Sequence, residues 1–382
     1  MASVFWQFLR LGCISFGGPA AHVGYFHHRF VERLHWLGAQ EYSQLLSLSQ
    51  VLPGPGSSQL GFAIGLHRAG LPGGIAAFIG FTLPSFVLMY VLAVYSLSLG
   101  SNALFAAIVQ GLKLLAVVVV ADACLAMYQK FCQQRLAIAI AALTAISLWL
   151  LPGFVTQVLV LLFAALLGQR WGKAAASSLA SNSTPDPARP GWLSLGLFML
   201  LLFALPLVAG QWGGVRLFNE FYQSGSLVFG GGHVVLPLLQ QLLGDAISTD
   251  QFLLGYAAAQ AIPGPMFSLA SFLGATLSPQ SPLLGAGIAT LGIFLPGFLL
   301  VLGLKNTWQS LLAKPAVQGA VWGINAAVVG LLLAALYQPV FISAVHSPLH
   351  MALVVAGLFA LRVLHAPILL LVVGFAGAGL VS

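Results

Sequence analysis

Charge is what this chain has least of. Only 5% of its 382 residues are Asp, Glu, Lys or Arg, whereas soluble domains carry about 25%. A single soluble core is excluded. The acids number seven, and they are scattered. They form no paired-carboxylate site, no HExxH pair and no Ser/His constellation, so an enzyme is not expected. Cysteine is scarce too: Cys13, Cys124 and Cys132 are odd in number and lack metal-ligand spacing. They imply neither a disulfide framework nor a metal centre, and are expected to pack within or beside helices. No ATP-binding motif is present and no cofactor is implied. The 14 Lys and Arg exceed the acids, but no basic cluster or aromatic–basic alternation marks a nucleic-acid surface.

What the chain does have is hydrophobic length. Apolar residues make up 59% of it, in stretches close to the ~20 residues that span a bilayer core. About thirteen segments are expected to cross: 3–26, 44–66, 71–97, 103–126, 136–150, 153–168, 192–212, 217–236, 251–277, 283–304, 315–337, 348–361 and 367–381. A Ser-, Ala- and Pro-rich linker, "GQRWGKAAASSLASNSTPDPARPG", separates the sixth from the seventh. The N-terminal "MASVFWQFLRLG" has neither a basic leader region nor a small-residue cleavage site, and is expected to be mature protein. The fold class is therefore an all-α integral membrane protein.

The two halves resemble each other. "FGG" at 16–18 recurs at 229–231, "QxxPGP" at 50–55 recurs at 260–265, "LPxF" at 83–86 recurs at 295–298, and "VQG" at 109–111 recurs at 317–319. Motifs kept in order at near-constant offset indicate a duplicated unit. The expected organisation is a first repeat (1–168), a linker with a connecting helix (169–212) and a second repeat (213–382). If every segment crosses, nine Lys/Arg fall on one side (Arg68, Lys130, Arg135, Arg170, Lys173, Arg189, Lys305, Lys314, Arg362) and three on the other (Arg29, Arg33, Arg216). The richer side, with the N-terminus, is then cytoplasmic, the C-terminus periplasmic and the second repeat inverted. Were 44–66 and 251–277 re-entrant, the division becomes eight to four with parallel repeats.

The prolines and glycines inside these segments need a reason. Pro53 and Pro55 push Leu52 and Gly54 out of helical geometry, so a helix should stop near 52 and restart at Pro55. Gly17 and Gly18, followed by Pro19 and Ala20, permit the same stop and restart, and Gly230, Gly231 and Gly232 repeat it. Irregular backbone at membrane depth survives only inside protein or against a wet cavity. The flanking Gln50, Ser57, Ser58 and Gln59 suit the cavity. Restarting half-helices aim unpaired N–H groups and a positive dipole end inward, which favours an anion. Repeat-built carriers place substrate at such breaks. Gln260, Pro263, Gly264 and Pro265 extend the candidate site into the second half. Ordinary packing kinks are the competing reading.

Ionisable residues at membrane depth are candidates by default. Lys113 and Arg10 are cations an anion path would use, although snorkelling or pairing would also explain them. Asp122 and Glu220 are candidates for proton coupling, against a plain interfacial role. His22 and His233 follow the two glycine breaks and could titrate near neutrality, or simply pack. In "FHHRFVERLHWLG" (26–38), His28, Glu32 and His35 share one face, but the interleaved aromatic and basic residues point to an interfacial amphipathic helix rather than a metal site. Gly61/Gly65 and Gly70/Gly74 have the spacing of close helix packing. Trp149, Trp171, Trp192 and Trp308 fall near segment ends, as in an aromatic belt.

"FGGPAAH", "RFVERLHWL", "QVLPGPGSSQLGFAIG", "HRAGLPGG" and "FTLPSF" in the first half resemble the chromate ion transporter family. "FGGGHVVLPLL", "QAIPGPMFSLASFLG" and "LPGF" in the second half do too. The resemblance covers nearly the whole chain and matches the fused, two-domain form. It implies a bacterial inner-membrane carrier that exports chromate, a tetrahedral sulfate-like dianion, conferring resistance and driven by the proton motive force. The family's motif positions correspond to Phe16, Gly17, Gly18, Pro19, His22, Gln50, Pro53, Gly54 and Pro55, then Phe229, Gly230, Gly231, Pro263, Gly264 and Pro265. A sulfate carrier or a passive anion channel on the same scaffold is the alternative. The lipid bilayer is the one certain partner, and a homodimer is left open.

Overall fold

The computed structural model describes the chain except for residues 100–102, 173–189, 211–212, 230–231, 313 and 382; among the described residues it is helical, without strands. A bilayer demands this, because each backbone polar group must find its partner within the protein. Among the described residues, five helical stretches are long and apolar enough to cross: Gly56–Ser96, Ala103–Phe131, Phe154–Trp171, Pro282–Leu304 and Pro315–Ala344.

The chain opens with two helical hairpins. α1 (Ala2–Ile14) stops at Ser15, and α2 (Gly18–Phe26) restarts and returns along it. Arg29 Nε donates to Gln7 Oε1 at 2.8 Å, and the Phe8 ring lies 5.5 Å from Phe26 and 4.8 Å from Phe30. α3 (Ala39–Val51) then runs in and α4 (Gly56–Leu99) starts back out, so Glu41 near the start of α3 lies 3.7 Å from His67. α4 itself has two arms, 56–68 and 71–99, because Ala69 and Gly70 leave helical geometry. The arms fold together with Gly65 against Gly73 and Gly74 against Phe62, while Gly61 packs on Phe8 and Phe26 and Gly70 serves the turn rather than a packing face.

This corrects the expectation that 3–26 and 44–66 each cross the bilayer as a helix broken midway. Leu52 is extended (φ −67°, ψ 142°), so the chain reverses at 52–55 instead of merely kinking. The second half does likewise. α9 (Gly213–Leu227) packs on α10 (Val235–Leu243). α11 (Thr249–Ala261) turns at an extended Ile262 (ψ 139°) into a short turn at Met266–Ser268 and α12 (Leu269–Leu277). Gly255 of α11 lies against Phe272 and Leu269 of α12, so 251–277 also folds back.

The remaining helices lock the halves together. α5 (Ala103–Phe131), α6 (Arg135–Leu150), α7 (Phe154–Trp171) and α8 (Trp192–Val208) complete the first half and the connection. α13 (Pro282–Leu304), α14 (Trp308–Leu312), α15 (Pro315–Ala335), α16 (Ile342–Ala344), α17 (Pro348–Arg362) and α18 (Ile368–Gly379) follow. Partners are exchanged. α7 lies along α15, with Gly168 on Gly319 and Gly323 on Ala164, while α18 lies along α5, with Gly111 on Phe375 and Gly379 on Ala107. Lipid tails are as apolar as leucine, so such backbone-to-backbone approach supplies the dispersion that holds membrane helices together. Trp149, Trp171 and Trp192 are exposed at helix ends, but Trp308 is only 5% exposed and belongs to the core rather than the belt.

Candidate functional site

The four breaks meet in two pairs, each joining one half to the other. The Gly54 N–H of the first PGP donates to the Val228 carbonyl, beside the second FGG, at 2.7 Å. Reciprocally, the Gly264 N–H of the second PGP donates to the Ser15 carbonyl, beside the first FGG, at 3.0 Å. Both glycines have positive φ, +120° and +106°, a region L-residues rarely enter. Each also touches the LPxF segment of the other half. A methyl at Gly54 would lie 3.2 Å from Gly297 Cα, and one at Gly264 would lie 2.9 Å from Ser85 Oγ.

Polar side chains brace this crossing. Gln59, fully buried, donates through Nε2 to the carbonyls of Pro53 (2.8 Å) and Gly297 (3.3 Å). The Nε2 of His22 lies 3.2 Å from the same Ser15 carbonyl that receives Gly264, and its ring meets Phe81 edge-on at 5.2 Å. Ser271 Oγ donates to Phe86 O at 3.0 Å, and Phe62 stacks on Phe298 at 4.5 Å. Four buried polar atoms at the breaks find no partner among the described residues: Ser15 Oγ, His22 Nδ1, Ser58 Oγ and Gln59 Oε1. Such orphans are groups that water or a bound ligand satisfies.

Most of the sequence candidates converge here. Gly17, Gly18 and Pro19 form the first turn, and α2 begins with Gly18. Pro53, Gly54 and Pro55 form the second turn, from which Ser57 and Ser58 open the return arm, both buried. Gly232 lies against Met266 of its own half, and Gln260 Nε2 points at the Met266 sulfur, 3.3 Å away. Pro263, Gly264 and Pro265 make the symmetric turn. Gln50 is exposed on α3 one turn before the break, and Arg10 is exposed on α1. Gly230 and Gly231 lie outside the described residues, as do the side chains of Ala20 and His233.

Three ionisable candidates, Lys113, Asp122 and Glu220, are paired instead. Lys113 Nζ binds Asp250 Oδ1 at 2.8 Å, Asp122 binds Arg362 at 2.7 Å, and Glu220 binds Arg216 at 2.9 Å. Asp250 went unnoticed in the sequence because a lone acid two residues past the Ser248 cap reads as ordinary capping chemistry. In the 26–38 segment, Glu32 takes His28 at 2.7 Å and His27 at 3.0 Å, and His28 holds its carboxyl below the usual carboxylate range. Phe30 of the same segment is buried and stacks on Trp36 at 4.9 Å.

The two hairpin bases lie at opposite ends of α4's second arm. Glu41, His67 and the turn at 69–70 mark one end. At the other, Ser96 and Phe105 share a cavity with Ser248, Asp250 and Gln251 of the second half.

Comparison with known proteins gives a consistent picture. The family model described as "Chromate transporter" matches residues 2–169 and 215–380. The Chromate transport protein of Pseudomonas aeruginosa is 27% identical over 98% of this chain and 91% of its own length. The Probable chromate transport protein of Synechococcus elongatus is 28% identical over 86% and 81%. The Chromate transport protein of Cupriavidus metallidurans is 26% identical over 86% and 80%. No solved structure matches.

Proposed function

The chain belongs to the chromate transporter family, a family of membrane transporters, and from that premise we propose that it exports chromate across the bacterial inner membrane as a secondary carrier driven by the proton motive force. The observation that carries this reading is the reciprocal exchange between breaks, Gly54 to Val228 and Gly264 to Ser15. It pairs a restarting half-helix of each half with a break of the other, and the unpaired amides at such starts favour a small anion. The oxyanion sits among the amides of Gly17, Gly18, Ala20, Gly56, Ser57, Ser58 and Gly232, since Pro19 and Pro55 carry no N–H, near His22, Gln50, Gln260 and the cation of Arg10. Sulfate, of the same shape and charge, competes for the site.

The units 1–168 and 213–382 are inverted in this reading, joined by 169–212. Their hairpin bases at opposite ends of one helical arm support it. So does charge. With both hairpins of each unit folded back, Arg29, Arg33, Arg68, Lys130, Arg135, Arg170, Lys173, Arg189, Lys305, Lys314 and Arg362 share one side and only Arg216 faces the other. Eleven against one sharpens the earlier nine against three, and makes the N-terminus cytoplasmic and the C-terminus periplasmic. Rocking of one unit against the other around the crossing alternates access. Asp122 and Glu220, each tied to an arginine, take the coupling proton.

Flux of chromate, sulfate, molybdate and phosphate into proteoliposomes, with and without an imposed pH gradient, tests the reading. Saturable chromate flux that responds to the gradient is expected. Uncoupled, non-saturating flux would make the protein a channel, and no oxyanion flux would remove the reading altogether.

A further inference from the structure

A cavity of about 310 Å³ lies between the two halves, well away from the breaks. Lys113 of α5 and Asp250 of α11 face each other in its wall at 2.8 Å, with Ser96, Gln110, Ser248 and Gln251 around them. At 1.5 Å per residue, α11 carries the chain roughly 17 Å from Asp250 to Ala261, at the edge of the PGP turn.

We propose that this cavity is a second station for the transported oxyanion, and that the Asp250 carboxylate is a tethered stand-in which holds Lys113 until substrate arrives. The inference rests on the carrier reading above.

The two partners are unequally held. The Lys113 side chain is 8% exposed, within a run from Gly111 to Val120 that is buried throughout, whereas Asp250 is 64% exposed. An ammonium so placed is costly unless an anion stays beside it. Asp250 meets that need from a position mostly in water, in the first turn of α11. Its carboxylate can therefore turn outward to water while remaining near the positive helix end. A tetrahedral oxyanion offers Lys113 the same charge-assisted contact, so the exchange never leaves the cation bare.

The rest of the lining suits the same guest. Of the four remaining polar side chains, Ser96 and Ser248 already donate their hydroxyls, to Ala93 O at 2.7 Å and Gln251 Oε1 at 3.2 Å, so the two glutamine amides are the donors left for a guest. Gln110 uses one amide proton on the Ala344 carbonyl (2.7 Å) and retains the other. The volume accommodates an oxyanion with several waters. Because Lys113 and Asp250 come from different halves, the exchange also releases a bond between them.

Equilibrium binding of radiolabelled sulfate to the purified full-length protein, alongside sulfate flux in proteoliposomes, tests this. Asp250→Asn removes the competitor while keeping the shape, and should bind sulfate about 5- to 10-fold more tightly than wild type. Lys113→Gln should lose that gain, also when combined with Asp250→Asn. The exchanged pair Lys113→Asp with Asp250→Lys should insert normally yet bind sulfate no better than Lys113→Gln. Wild-type flux together with unchanged or weaker binding in Asp250→Asn overturns the station and leaves the carrier reading standing. Full recovery of binding by the exchanged pair overturns it too, since a structural ion pair alone would behave that way. A wild type that neither binds nor moves oxyanion removes the carrier reading itself.

Discussion

The Gly54 N–H donates to the Val228 carbonyl at 2.7 Å, joining the PGP turn of one half to the FGG turn of the other. Its mirror, Gly264 to Ser15, makes the crossing a matched pair. Neither PGP turn is completed by its own unit. Each uses a backbone partner that the other supplies, so anything that moves one unit against the other passes through these two bonds.

Side chains at the crossing glycines should be intolerable. Gly54→Ala and Gly264→Ala force a methyl into positive φ, at about 1–3 kcal/mol of backbone strain, and press it on Gly297 and Ser85. Both should lose most chromate export while still inserting. Gly196→Ala, whose methyl meets open space, is the matched control. Export by the crossing variants at the control's rate would count against the site.

Removing the prolines tests the turn itself. Pro53→Ala with Pro55→Ala allows 51–56 to regain helical hydrogen bonds, which straightens the hairpin tip. Transport should fall to background with normal amounts of protein in the membrane. Wild-type transport in the double variant would reduce the turn to a packing feature.

Gln59 contributes stability rather than substrate contact. Gln59→Leu strips the donor from the Pro53 and Gly297 carbonyls, at about 1–3 kcal/mol for each buried group left unpaired. A lower melting temperature in detergent is the expected result, larger than for Gln133→Leu on the exposed surface.

The fold-back of 44–66 is open to chemistry. In a variant with its native cysteines replaced by serine, Glu41→Cys with His67→Cys should cross-link through a short bifunctional reagent. A rod crossing the bilayer would hold these positions on opposite faces, and no cross-link would form. Alkaline phosphatase fused after Ser382 should be active in the same cells if the C-terminus is periplasmic.

Much of this was legible in the residues. The duplicated motifs, the broken segments and the helices at 103–168 and from 283 onward are written in hydropathy and in Pro and Gly placement, because both act locally. The hairpins were not. A rod and a hairpin have the same hydropathy, and charge separates them only when both hairpins of each unit are folded together. Folding 44–66 and 251–277 alone blurs the division to eight against four, and folding 3–26 and 217–236 as well sharpens it to eleven against one. Lys113 stood out by its depth, but its partner lies 137 residues away, and no spacing rule links them.

By itself the sequence determined that this is a duplicated, charge-poor membrane protein with four interruptions in its apolar segments, since composition and backbone chemistry are properties of each segment alone. Tertiary structure decided which interruption meets which. A bare glycine N–H or a single buried ammonium must find its partner wherever packing brings one, and here packing brings it from the other half of the chain.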